Sequence, residues 1–597
     1  MPSYKAPLDD IRFVLHEVLD VAQLSALPGY EEATPDVIDA ILEEAGKFCE
    51  EVLQPINQQG DAIGCTYDKG EVTTPPGFLD AYKQYCAGGW PALSCDPKYG
   101  GQGLPHLMRS IIEEMLTASN LSFAMYPGLA HGAYHAVHAY GTDELKDKLL
   151  PKLVSGEWGG TMCLTEAHAG TDLGMITTRA VPAGDGAYKL TGTKVFISAG
   201  EHDLTENIIH LVLAKLPDAP AGTKGISMFM VPKFLPTDEG RPGTRNGVTC
   251  GSIEHKMGIK GSATCVLNFD NATGWMVGEP NKGMRAMFIM MNGARLGVGV
   301  QGLGLSEVAY QNAVIYAKDR LQGRSLTGAK NPDGPADPII EHPAVRQGLL
   351  RVKALNEGNR AFAYWIGVNI DLEQKHPDPE MRAASADLVA LMTPVIKAFL
   401  TDIGFENTNI ALQTFGGHGY VREYGMEQFV RDSRIAPIYE GTNAVQAMDL
   451  VGRKLPEGMG RLLRRFFHPV NAEIEASRAD ESLKEFVDPL AKAFERLQQS
   501  TQVVAMKSMA NPDEAGAAAE DYLHLFGYVT LGYMWLRMVK VARAKLAAGG
   551  NGNAAFYEAK VATGRFYFAK VLPQVHSLAA RIAAGAAPVM NMPTSAF

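Results

Sequence analysis

The run Ala187-Tyr-Lys-Leu-Thr-Gly-Thr-Lys-Val-Phe-Ile197 decides the fold, because it interrupts a chain otherwise written in helical spacing. Four companions read the same way: Gly159–Leu164, Asn207–Lys215, Gly225–Pro232 and Ala263–Asp270, separated by turn-rich loops. Five or more strands with no helices between them predict a compact antiparallel barrel or sandwich and argue against a doubly wound sheet.

Outward from this block the period returns to that of helices. Upstream, Asp10–Ala22 carries apolar residues at 11, 14, 15, 18, 19 and 22. Pro35–Leu53, with Thr34 as its N-cap, is followed by Leu107–Ala118 and Ala130–Ala139, and the Pro/Gly-rich loop Asp96–Gly103 interrupts them. Downstream of Gly278 come Met284–Lys318, Val345–Gln374 and Arg382–Asn409. A charged hinge at Gly452–Gly458 leads into a last helical block. The expectation is a multidomain α+β chain: an arm and helix over 1–34, a helical domain over 35–157, an antiparallel β-barrel over 158–277, a helical bundle over 278–455, and an appended helical domain over 456–597.

The net charge of −11 argues against a dedicated nucleic-acid binder. Seven cysteines, odd in number and without a C-x-x-C pair, read as reduced thiols, not as a disulfide framework or zinc site. The N-terminus lacks the apolar core of a signal peptide, and the longest apolar stretch, Tyr522–Leu536, is too short to span a bilayer. A cytoplasmic protein is expected.

Gly297-Val-Gly-Val-Gln-Gly302 fits the dinucleotide fingerprint, but a helical pattern precedes it, so small residues at a close helix crossing are the better reading. His131, His135 and His138 share one helical face. No Cys or Glu at suitable spacing completes a ligand set there, so a packing or pocket-lining face is expected and no metal. The loop Cys163-Leu-Thr-Glu-Ala-His-Ala-Gly-Thr-Asp172 follows a strand and offers Thr165, Thr171 and a flexible Gly170 to carbonyl or phosphate oxygens; it also reads as a Thr-rich turn. Phe196 and Ser198, at a strand end, suit a flat conjugated ring with a polar edge. In Arg431–Asn443, Glu440 stands between Tyr439 and Gly441, flanked by aromatics and prolines. A carboxylate in such surroundings loses hydration and becomes a stronger base, and Gly441 permits close approach. The bland alternative is an acidic residue at a helix start.

Taken together, the two strand ends resemble those that bind flavin in the acyl-CoA dehydrogenases, with patterns close to T-E-P-x-A-G-S-D and K-x-[WF]-I-[ST]-N. Further segments match in family order: Glu254–Thr264, Asn292-Gly-Ala-Arg295, Asp319-Arg-Leu-Gln-Gly-Arg324, Gln413-Thr-Phe-Gly-Gly-His-Gly-Tyr420 and Tyr439-Glu-Gly-Thr442. The resemblance covers about residues 35–455. The extra arm and C-terminal block resemble the longer bacterial branch, which includes broad-range fatty acyl-CoA dehydrogenases and methylthiopropanoyl-CoA dehydrogenases.

The resemblance implies FAD as cofactor, an acyl-CoA substrate oxidised to the trans-2-enoyl-CoA, and an electron-transferring flavoprotein as acceptor. It assigns Glu440 as the base. Met162, Leu164, Thr165, Gly170 and Thr171 match the loop against the flavin, and Phe196 and Ser198 the pair beside its reactive edge. Arg320 and Gln322, with Gln413, Gly416 and Gly417, match segments that reach the FAD of the neighbouring subunit. Thr442 matches a phosphate-side contact, and Arg295, Thr171, Tyr439 and Gly441 fall on the substrate side. Ala167, Phe196 and Gly323 depart from the usual proline, tryptophan and phenylalanine. Where one branch of the family draws its base from the position before Arg295, this chain has Ala294, leaving Glu440. The appended helices imply a homodimer in place of a tetramer. Two other readings share the fold: an acyl-CoA oxidase, and a non-catalytic DNA-binding flavoprotein, against which the near charge balance of 456–597 argues.

Overall fold

The computed structural model describes residues 2–597, and the chain divides into two compact units: Ala45–Gly297, and the stretch up to Glu44 together with Val298–Phe597.

In the first unit the sheet has seven strands. They are Trp158–Cys163, Arg179–Gly184, Ala187–Ser198, Asn207–Lys215, Ile226–Pro232, Val248–Ile253 and Thr264–Met276. Ile226–Pro232 pairs with both Asn207–Lys215 and Thr264–Met276, which closes the strand path on itself. The antiparallel expectation holds for most pairs, with two exceptions; one is a single parallel contact, Arg179↔Lys215, and the other is extended. Trp158–Cys163 runs parallel to Asn207–Lys215 from Trp158↔Asn207 to Cys163↔Val212, because a long crossover separates the two strands in sequence. Asn207–Lys215 is buried on both faces. Its Ile209, Leu211 and Leu213 join a cluster with Trp158 and the helical residues Val137 and Leu150, whereas Val212 and Ala214 join Leu190, Phe229 and Phe269. The period-2 alternation thus feeds two cores at once.

Leu107–Ala118 and Ala130–Ala139, read separately from sequence, belong to one helix, His106–Tyr140, broken only at Asn120, where φ is −162° and ψ 89°. Asn120 Oδ1 accepts from the Phe123 N–H at 3.1 Å, a side chain capping the second half within the run.

In the second unit the helices Pro343–Lys375 and Pro379–Thr414 lie beside C-terminal helices, among them Asp513–Ala547, with Arg461–Ser477 against Pro379–Thr414. The N-terminal segment read as one helix is a short α-turn, Leu8–Arg12, then a π-helix, Phe13–Val18, and a 3-10 turn, Val21–Ala26. It is tied down by a buried ionic cluster. Arg360 and Lys560 both pair with Asp10, Arg360 reaches Glu307 at 3.1 Å and Lys560 reaches Glu357 at 2.8 Å. Burial alone would raise the Asp10 carboxyl, but Lys560 and Arg360 outweigh it and bring it down to about 2.

The rejected fingerprint is a close helix crossing. A Cβ on Gly299 would meet Ile396 Cγ2 at 2.6 Å, and one on Gly302 would meet the Leu400 carbonyl at 2.5 Å. Pro379–Thr414 is the one helix among the described residues long and apolar enough to cross a membrane, and 78% of its apolar window is buried within the protein. All seven cysteines are free thiols.

Candidate functional site

The strand Ala187–Ser198 ends in strain. Phe196 has φ 59° and Ala199 φ 53°, the left-handed region, where an L-residue gives up about 1–2 kcal/mol. Phe196 is also 64% exposed, so nothing in its own packing compensates. The compensation lies beneath it. The Val195 N–H donates to Thr165 O at 2.9 Å, and the buried Lys194 Nζ donates to Leu164 O and to Glu166, each at 2.9 Å. Glu166 also accepts from the Thr177 N–H (2.8 Å) and hydroxyl (2.8 Å), and from the Thr178 N–H (3.0 Å) and hydroxyl (2.6 Å). Burial pushes its carboxyl up, but Lys194 and these donors prevail and hold it down at about 2. Burial in turn lowers the Lys194 ammonium, against the pull of Glu166.

This cluster fixes Leu164 and Thr165 beside the Phe196–Ser198 strand end. Met162 and Leu164 are half-buried against the barrel–helix core, while Gly170 and Thr171 are exposed, and a Cβ on Gly170 would meet nothing within 4 Å. An exposed, rigidly held ring beside hydroxyls and open backbone fits the flat flavin of FAD with its polar edge. In the same unit Arg295 donates from Nη1 to Asn292 Oδ1 at 3.4 Å, and its buried Nε has no hydrogen-bond partner among the described residues. The guanidinium retains donor capacity for a ligand.

The histidine face gathers a trio of rings with a member the sequence reading did not include. His131 and His135 approach at 2.8 Å between Nε2 atoms, His138 turns instead to Asp96 at 3.1 Å, and His106, unremarked in the sequence, joins the first two. Burial and the nearby Arg109 guanidinium lower His106 to about 4 and His135 to about 3.

The second unit holds the Glu440 turn. Glu440 has φ 59° and Gly441 φ 82°, immediately before the helix Asn443–Asp449, which Thr442 caps by accepting from the Val445 N–H at 3.3 Å. A Cβ at 441 would collide with Gln446 Nε2 at 2.6 Å, so glycine is required by space as well as by φ. Glu440 Oε1 is shielded from solvent. The Tyr439 hydroxyl donates to Gln301 Oε1, and burial, followed by the charge of Glu440, raises the phenol. Behind the turn, the buried Lys397 Nζ donates to Gly441 O at 2.7 Å and Asn443 Oδ1 at 2.8 Å, while Gln446 Nε2 donates to Glu440 O at 3.3 Å.

Also in this unit, Tyr316 joins the segments carrying Arg320 and Gln413. Its ring stacks on Phe415 at 4.1 Å, and its hydroxyl lies 2.8 Å from His418 Nδ1. Arg320 is exposed and donates to Gln322 Oε1 at 3.4 Å. Gln413 is exposed, and Gly416 and Gly417 face open space. A cation next to a glycine turn with free approach suits a diphosphate. Gly323 sits at φ 70°, which explains why the usual phenylalanine is absent: the loop folds back so that the Asp337 N–H donates to Gly323 O at 2.9 Å.

Sequence reading missed Lys194, Glu166, Lys397, Gln301 and Gln446. Of these, Glu166 and Lys194 stand inside the two strand-end patterns without having been given a role, and Lys397 left a signal as a lone cation inside an apolar helical run.

Residues 36–157, 161–272 and 281–455 match the N-terminal, middle and C-terminal domain families of acyl-CoA dehydrogenase, and 466–593 match the "Acetyl-CoA dehydrogenase C-terminal like" family. The chain is 41% identical to the 3-methylmercaptopropionyl-CoA dehydrogenase of Ruegeria pomeroyi over 97% of this chain and 98% of that one. It is 36% identical to a butyryl-CoA dehydrogenase of Syntrophomonas wolfei over 100% and 99%. A solved acyl-CoA dehydrogenase of Bacillus anthracis, complexed with FAD, shares the fold at a TM-score of 0.74 and 21% identity, covering 94% of this chain and 90% of that one. With all four domain families in order and a strand-end platform that fits a flavin, the chain belongs to the acyl-CoA dehydrogenase family, FAD-dependent oxidoreductases that act on acyl-CoA thioesters.

Proposed function

We propose that this chain oxidises a short linear acyl-CoA, of butyryl to 3-methylthiopropanoyl length, to the trans-2-enoyl-CoA, with Glu440 as the base. The carrying observation is the Glu440 turn: a shielded carboxylate in a left-handed conformation, pinned from behind by Lys397. Near-full-length likeness to two dehydrogenases named for short acyl-CoAs supports the chain length.

The α-C–H of a thioester is a weak acid, so proton removal needs a poorly hydrated base and stabilisation of the carbonyl oxygen as it gains charge. Glu440 takes the α-proton. Its backbone N–H donates to the thioester carbonyl, Tyr439 and Gly441 bound the space beside the carboxylate, and Arg295 faces the thioester end. FAD, when bound, supplies the acceptor for the C3 hydride. Thr165, Phe196 and Ser198 orient its ring, Thr171 and Met162–Leu164 flank it, and Arg320, Gln322, Gln413, Gly416, Gly417 and Thr442 serve the phosphate side. Electrons pass on to an electron-transferring flavoprotein, and the protein works as a cytoplasmic homodimer.

Glu440→Gln, nearly isosteric and unable to accept the proton, is expected to keep FAD and lose at least the ~10²–10⁴-fold typical of general-base removal. Near-wild-type turnover of any acyl-CoA by this variant sinks the assignment. Arg320→Ala is expected to weaken FAD binding roughly ten- to hundred-fold, measured by titrating apoprotein, the loss of one charge-assisted hydrogen bond. Bleaching by butyryl-CoA without oxygen, then slow recolouring in air, separates a dehydrogenase from an oxidase.

A further inference from the structure

We infer that His524, on the appended C-terminal helix Asp513–Ala547, is a positioning residue for the base, acting through Asp402 and Asn443; this rests on Glu440 being that base. The contacts form an unbroken line within one unit. His524 Nε2 lies 3.0 Å from Asp402 Oδ2, and Asp402 Oδ1 accepts from Asn443 Nδ2 at 2.7 Å. Asn443 Oδ1 accepts from Lys397 Nζ at 2.8 Å, and the same ammonium donates to the carbonyl of Gly441 at 2.7 Å. Three residues, Asp402, Asn443 and Lys397, therefore link His524 of the appended domain to the peptide that follows Glu440.

The wiring is directional. Asn443 uses its amide nitrogen toward Asp402 and its carbonyl toward Lys397, so the amide is fixed in one orientation by charges on both sides. Asp402 is about one-third exposed, and without His524 its carboxylate is free to swing toward water, leaving the Asn443 amide nitrogen only its longer contacts to Ala398 O at 3.2 Å and Thr401 Oγ1 at 3.0 Å. The His524 ring is itself held edge-on against Phe399 at 5.7 Å, on the helix that carries both Asp402 and Lys397. The strained Glu440–Gly441 pair is also held by Gln446 Nε2, which donates to the two carbonyls at 3.3 and 3.4 Å, and strain of this kind persists only where surroundings over-determine it.

Two substitutions separate the hydrogen bond from the packing. His524→Phe keeps the ring against Phe399 and removes the contact to Asp402; His524→Gln keeps a donor and removes the ring. His524→Phe is expected to lower kcat roughly ten-fold, a misplaced base short of a lost one, with KM, FAD content and melting temperature close to wild type. Amide hydrogen exchange across 438–446 is expected to accelerate in the apoprotein as well as the holoenzyme. His524→Gln is expected to restore both kcat and exchange protection. Wild-type kcat and exchange in His524→Phe overturn the inference, as does a His524→Gln no better than His524→Phe. If Glu440→Gln turns over normally the base assignment fails; if it is dead while His524→Phe is normal, only the positioning role fails.

Discussion

Phe196 and Glu440 are the same problem solved twice. Both are non-glycine residues at φ 59°, and behind each a buried lysine donates to a backbone carbonyl, Lys194 to Leu164 and Lys397 to Gly441. The wiring differs. Lys194 meets its counterion directly, and Glu166, Thr177 and Thr178 come from the same barrel, Thr177 and Thr178 eleven and twelve residues after Glu166. Lys397 donates to the oxygens of Gly441 and Asn443, and Asn443 in turn donates to the carboxylate of Asp402. The first arrangement builds a rigid platform for a ring. The second holds a turn in place while leaving its carboxylate to do chemistry, and it draws on helices distant in sequence.

The difference predicts opposite failures. Glu166→Gln leaves Lys194 buried without its counterion, and stability is expected to fall by about 3–5 kcal/mol in denaturant unfolding. A loss below ~1 kcal/mol would show that the platform does not depend on the pair. Lys397→Met is expected to reduce kcat about a hundred-fold while FAD remains bound, since the base turn shifts and the platform does not; loss of FAD in parallel with kcat would erase the distinction.

Acid sharpens the contrast. Glu166 is held at about 2 from an ordinary 4.5, so its contribution is full above about pH 4.5 and is lost as the pH falls from there toward 2. Asp10 behaves alike, from 3.8 down to about 2. Unfolding free energy followed from pH 6 to 3 is expected to drop by on the order of 2 kcal/mol from Glu166, and the drop should shrink in Glu166→Gln. The smallest effect is at Phe196 itself. Phe196→Gly relieves the left-handed strain, partly offset by glycine's greater chain entropy, for a net gain of roughly 0.5 kcal/mol with weaker FAD binding. A net loss of stability there would mean that the ring is held by more than its strand.

Much of this was legible in the chain. The strand Asn207–Lys215 has the limits read from its residues, and Met284–Lys318 and Val345–Gln374 fall within a residue or two of Gly283–Asp319 and Pro343–Lys375. Short strands such as Val248–Ile253, written Val-Thr-Cys-Gly-Ser-Ile, escaped notice because a glycine and small polar residues dilute the pattern.

By itself the sequence determined most of the long helices and strands and the residues proposed to carry the chemistry, because periodicity and local motifs are properties of neighbours along the chain. Tertiary structure alone decided how that chemistry is held. Lys194 stands in the strand-end pattern, but the pattern does not say that it meets Glu166 and so anchors the Phe196 platform. His524 lies 122 residues from Asp402. Burial, charge pairing and left-handed strain depend on what folds against a residue, and that is set by the packing of distant segments.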